Sequence, residues 1–143
     1  MLRLFGTRRA SDDRYFSRAA TWHLMDEHVV VHDSFSKLAP RMITMEPWHE
    51  VVFSAADGEH TIAEFVRQLG TQYGARPPKG LHKQVLGIIR VLEAEGIVRV
   101  HDAPKPLPPY FAEEFSQQPP AVRKAQMEAD GLLRSDRPKT PGT

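Results

Sequence analysis

Hydrophobic and polar positions divide the chain into strand-like runs followed by helical ones. Trp22 to Met25 and His28 to Asp33 are β-rich runs separated by Asp26-Glu27, a spacing that predicts a hairpin. Arg41 to Met45 form a third short run, entered through Pro40 and closed by Pro47. Pro47 suits the first turn of a helix, where its missing N–H costs nothing. Trp48, Val51, Val52 and Ala55 follow at i, i+3, i+4, i+7, so one face of that helix is apolar, and Asp57-Gly58 stops it. Thr61 and Glu64 match the Thr-x-x-Glu capping box, in which each side chain satisfies a backbone N–H of the first turn. Ile62, Phe65, Val66, Leu69 and Tyr73 continue as an apolar stripe up to Gly74. A third helix carries Leu81, Val85, Ile88, Ile89 and Leu92 on one face and ends at Gly96; Ile97 to Val100 alternate as a short closing strand.

The order is strand, strand, strand, helix, helix, helix, strand. It predicts an α+β fold: a winged-helix-like three-helix cluster preceded by a small antiparallel three-stranded sheet, with a Pro-rich C-terminal extension. Residues 1–20, with five arginines and two aspartates, read as a flexible basic arm, and 21–101 as the folded unit. From 102 to 143 the chain reads as a polyproline linker, one short helix (Ala121 to Leu133) and a tail.

Composition removes several classes of function. The 143 residues include no cysteine, which excludes disulfides, thiolate metal sites and cysteine nucleophiles. Nineteen basic residues balance eighteen acidic ones, so net charge argues neither for nor against a polyanionic partner. The N-terminus lacks a secretory core and no run approaches the roughly 20 apolar residues of a membrane helix, so a cytoplasmic protein without a membrane segment is expected; a transit peptide is the weaker alternative. Of the seven histidines, none forms His-Glu-x-x-His, and His28 and His32 in one strand stand about 13 Å apart, too far to share an ion. Serines lack a Gly-x-Ser-x-Gly elbow and glycines lack phosphate-loop spacing. The chain therefore reads as a non-enzyme with no metal and no cofactor.

Charge distribution is more informative than its sum. Residues 21–60 hold two basic and seven acidic residues, whereas 65–90 hold Arg67, Arg76, Lys79, Lys83 and Arg90 without an acid. In a winged helix the third helix would read DNA, with phosphates held at its basic start. That helix has no Asn and a single Gln, Gln84, and the closing strand is poor in basic residues, so DNA is disfavoured.

At Asp57-Gly-Glu-His-Thr-Ile-Ala-Glu64, then Leu69, Tyr73-Gly74 and Val85 to Leu92-Glu-Ala-Glu-Gly96, the sequence resembles the PqqD-like family of RiPP recognition elements over about residues 22–100. It departs from that family at Thr44-Met45-Glu46-Pro47, where a Leu-Asn dipeptide is common, and in the extension beyond Asp102. The resemblance implies a leader peptide that adds as a strand beside the third strand and faces the third helix, which is β-augmentation. Here Arg41, Met42, Ile43, Thr44 and Met45 would receive the peptide, and Lys83, Leu86 and Arg90 would line the facing helix, the two cations attracting an acidic leader. Plain core packing accounts equally well for Met42, Ile43 and Met45, and better for Val85 and Ile89.

Three functions follow. The first is a non-catalytic module that presents a ribosomal precursor peptide to a modifying enzyme of radical-SAM type or similar. The second is a winged-helix DNA-binding regulator. The third is an accessory subunit docking a larger enzyme through its tail, with Tyr110, Phe111 and Phe115 as anchors.

Overall fold

Asp26 and Glu27 both adopt positive φ, 54° and 70°. Positive φ at both central residues is what a two-residue hairpin turn needs to match the strands' twist. The turn joins β2 (Thr21–Met25) to β3 (His28–Asp33), with Met25 opposite His28 and Trp22 opposite Val31. β4 (Arg41–Thr44) pairs antiparallel with the other side of β3, placing Ile43 opposite Val31. The expected three-stranded antiparallel sheet is thus present, in the order β2-β3-β4. These features come from a computed structural model that describes residues 13–33, 41–74 and 76–132, without the side chains of Asp33 and Arg41. The remainder of the N-terminal arm and the tail beyond 132 lie outside the described residues.

Alternation gives this sheet two unlike faces. Trp22, Val31 and Ile43 face the main core, whereas Thr21, His23 and His32 lie on the opposite face.

A second sheet was not foreseen. Its central strand is β1 (Tyr15–Arg18), in the stretch that the sequence places in a flexible arm, and its order is β5-β1-β6. Phe16 is fully buried and lies 5.6 Å, centroid to centroid, from Phe65. β5 (Asp57–Thr61) occupies the segment expected only to stop a helix, and β6 (Val98–His101) is the expected closing strand, one residue later. Both pair antiparallel with β1.

Three helices complete the main core: α1 (Pro47–Ala55), α2 (Ile62–Thr71) and α3 (Leu81–Ala94). α1 is rolled by about one residue from its expected face, because Val52 and Phe53 are buried while Val51 is 43% exposed. α2 starts at the predicted capping box: Thr61 Oγ1 accepts from Glu64 N–H at 3.0 Å, and Glu64 Oε1 from Thr61 N–H at 2.8 Å. It ends at Thr71, short of Gly74, so Tyr73 leaves the stripe and is 42% exposed. α3 buries all five predicted residues. Gly96, at φ 80°, closes it in a Schellman arrangement, with Ile97 N–H on Leu92 O and Gly96 N–H on Glu93 O.

The C-terminal extension packs onto the fold rather than trailing from it, and the short helix expected over Ala121 to Leu133 is present over Pro120–Ala129. After an extended stretch come α4 (Pro109–Ala112), a 3-10 turn (Phe115–Gln117) and α5 (Pro120–Ala129). Tyr110, Phe111 and Met127 form a small separate core with Leu107 and Leu132 at its border. No helix among the described residues is long and apolar enough to cross a membrane.

Candidate functional site

The two borders of the β2-β3-β4 sheet differ in what they meet. At the β2 border the C-terminal extension is in place. Leu24 N–H donates to a Glu114 carboxylate oxygen at 2.8 Å, and the Trp22 indole N–H donates to Phe111 O at 2.9 Å. At the β4 border no further strand is paired among the described residues. β4 ends at Thr44, opposite Val30; the next amide of β3, Val29 N–H, is taken by a Glu50 carboxylate oxygen at 2.8 Å. A four-residue row of backbone is left with one side unpaired, and in an antiparallel ladder alternate residues point their N–H and C=O to that side.

The side chains of β4 divide as alternation requires. Ile43 and Met45 are half-buried against the main core, Met42 is 69% exposed and Thr44 is exposed. Arg41 contributes its backbone, opposite Asp33. On α3, Lys83, Leu86 and Arg90 fall at i, i+3, i+7 and share one stripe, with Lys83 and Arg90 exposed and Leu86 half-buried against the main core; β4 and α3 make no extended contact with each other. Val85 and Ile89 are fully interior, which assigns them to the core. Arg67, Arg76 and Lys79 are exposed as well.

Tyr110, Phe111 and Phe115 are turned onto their own chain. Tyr110 and Phe111 are 2% and 6% exposed, buried in the small core of the extension. Burial and the Asp130 carboxylate, which accepts from the phenol, push the Tyr110 pKa well above the usual value. Phe115 lies edge-on to His32 at 4.6 Å and beneath the Arg123 guanidinium at 3.5 Å.

The residue that fastens this extension is one the sequence reading overlooked. Arg18 is 9% exposed, and its guanidinium donates to four carbonyl oxygens: Phe53 and Ser54 on α1, Phe111 and Ala112 on α4. The planar five-donor fork suits that task. Burial lowers its pKa, and Asp57 acts in the opposite sense. A second tie lies at Lys105, whose N–H donates to Gly58 O at 2.7 Å. Gly58 has φ 77°, and a Cβ there would stand 1.9 Å from Lys105 O.

Two polar contacts were also missed: Ser17 and His101 are distant in sequence, and the His23–His32 contact is a diagonal one that depends on the exact register of the hairpin. Ser17 Oγ and His101 Nε2 meet at 2.8 Å across β1 and β6. His23 Nδ1 and His32 Nε2 meet at 2.6 Å across the hairpin, and His32 Nδ1 reaches Thr21 Oγ1 at 3.0 Å. Burial, then the neighbouring His23 and Arg123 charges, lower the His32 pKa; burial, then Lys105 and Arg99, lower that of His101, against a smaller opposing effect of Asp102. Both rings are accordingly held towards the neutral form. Among the described residues no cluster of three or more His, Asp or Glu side chains could hold a metal ion. No protein-family model, curated protein or solved structure matches the chain.

Proposed function

We propose that this chain is a non-catalytic peptide-binding module that accepts an extended precursor peptide as a strand on the open side of β4. One observation carries the reading: of the two borders of the β2-β3-β4 sheet, β2 is covered by the chain's own C-terminal extension and β4 pairs on one side alone among the described residues. A guest strand satisfies the outward N–H and C=O groups of residues 41–44, and its side chains meet Met42 and Thr44 on one face and the Ile43–Met45 border on the other. Lys83 and Arg90, exposed on either side of Leu86, favour an acidic guest.

The arrangement of α1, α2 and α3 closed by β6 is read here as winged-helix-like, and the resemblance of Asp57 to Gly96 to the PqqD-like family supports the same assignment. In this reading the partner is an enzyme that modifies the bound peptide, which the module presents.

Titration of the isotope-labelled chain with precursor peptides encoded beside its gene tests the proposal. The expected result is saturable movement of amides in residues 41–45 and 82–92. Movement confined to other residues contradicts it.

A further inference from the structure

The second sheet carries polar chemistry that peptide binding at β4 leaves unused. In the β1–β6 ladder Ser17 stands opposite Arg99 and Tyr15 opposite His101. Alternation therefore puts Ser17, Arg99 and His101 on one face of the sheet. The C-terminal extension is held over this face by the Lys105–Gly58 hydrogen bond and by Arg18 on Phe111 and Ala112. A cavity of about 490 Å³ lies between sheet and extension, within the roughly 300–1,000 Å³ typical of small-molecule sites.

The two walls differ in chemistry. The sheet supplies a cation, Arg99, and the hydrogen-bonded Ser17–His101 pair; the extension supplies Lys105 and an apolar surface of Leu107, Tyr110 and Leu132. Arg18 also borders the space, but its donors are committed to backbone carbonyls. Asp130 is the acid of the lining and accepts from the Tyr110 hydroxyl. Neither Arg99 nor Lys105 has an ion-pair or side-chain hydrogen-bond partner among the described residues. The cavity thus combines two uncommitted cations with a Ser–His pair able to donate one further hydrogen bond, opposite a hydrocarbon wall.

We propose that this cavity binds a small organic carboxylate, its anion held by Arg99 and Lys105 beside Ser17–His101 and its apolar body lying against Leu107, Tyr110 and Leu132. Charge-assisted hydrogen bonds from a guanidinium and an ammonium recognise the carboxylate. The apolar wall demands a hydrocarbon portion, because a wholly polar anion such as inorganic phosphate leaves that surface wet. The site is independent of the β4 edge, so its failure would leave the peptide reading standing.

Octanoate serves as the probe, with octanamide as its uncharged analogue of equal length and inorganic phosphate as its polar counterpart. Titrated into the labelled full chain, octanoate is expected to shift the amides of Ser17, Arg99, His101 and Lys105 saturably, with a Kd below about 1 mM. The double variant R99Q/K105Q changes two exposed positions, and it should bind octanoate at least about tenfold more weakly with its remaining spectrum unchanged. Absence of saturable shifts at those amides overturns the proposal. So does octanamide or phosphate binding as tightly as octanoate, or undiminished binding by the variant.

Discussion

Arg18 Nε donates to the carbonyl oxygen of Phe111 at 3.0 Å, across ninety-three positions of sequence. The same guanidinium reaches Phe53 and Ser54, so a single side chain ties α1 to α4. Substituting Arg18→Met removes a satisfied buried cation and the Arg18 donor of Ser54 O and Ala112 O, whereas Phe53 O and Phe111 O keep the Ala56 N–H and the Trp22 indole. Since a hydrogen bond to a charged group contributes about 1.5–3 kcal/mol, the variant should lose about 2–4 kcal/mol in urea unfolding. Amide exchange in residues 107–132 should accelerate more than elsewhere. Arg18→Lys restores the charge without the fork and should recover less than half of the loss.

Phe16 measures whether β1 belongs to the fold. It is fully buried against Phe65, so Phe16→Ala should destabilise by about 3–5 kcal/mol. An arm that merely trails would tolerate the change, and urea unfolding separates the two outcomes.

Gly58 and Gly96 share a positive φ, 77° and 80°, but differ in surroundings. A Cβ at Gly58 would collide with Lys105 O, whereas at Gly96 nothing lies within 4 Å. Each alanine variant bears a conformational cost of about 1–3 kcal/mol. Gly58→Ala should exceed Gly96→Ala in loss of Tm and should also free the amide of Lys105 in hydrogen exchange.

Stability should fall on mild acidification. The His32 and His101 pKa values are lowered from 6.5 in the folded chain, chiefly by burial. The unfolded chain therefore binds protons first as pH drops. The stabilisation is whole above about 6.5 and is lost as pH falls through the lower folded values. Urea unfolding between about pH 8 and 5 should show this decline, and His32→Gln should flatten part of it.

How much of this was legible in sequence depended on the range of the interactions. The hairpin at Asp26-Glu27, the Thr61–Glu64 capping box and the buried stripe of α3 are set by neighbours within a few residues, and each was read correctly. β5, Asp-Gly-Glu-His-Thr, has no apolar alternation and becomes a strand through pairing with β1. Arg18 looked like one more surface cation of a basic arm, because burial of a guanidinium depends on carbonyls supplied by α1 and α4. Ser17 and His101, eighty-four positions apart, gave no local signal of their hydrogen bond. Of the candidate site, periodicity placed the strand and the helix, whereas the choice of residues 41–45 and of Lys83, Leu86 and Arg90 on them is what the resemblance to the PqqD-like family implies. Which border of the sheet the extension covers could not be read from either, since that follows from the Trp22 and Leu24 contacts with Phe111 and Glu114.

Amide hydrogen exchange of β4 with and without a saturating precursor peptide tests the proposed docking most directly. The outward-pointing amides of residues 41–44 should exchange freely in the chain alone and become protected with peptide bound, while Leu24 N–H, already held by Glu114, is unchanged. Protection that appears at β2 instead, accompanied by release of residues 107–132, would contradict it.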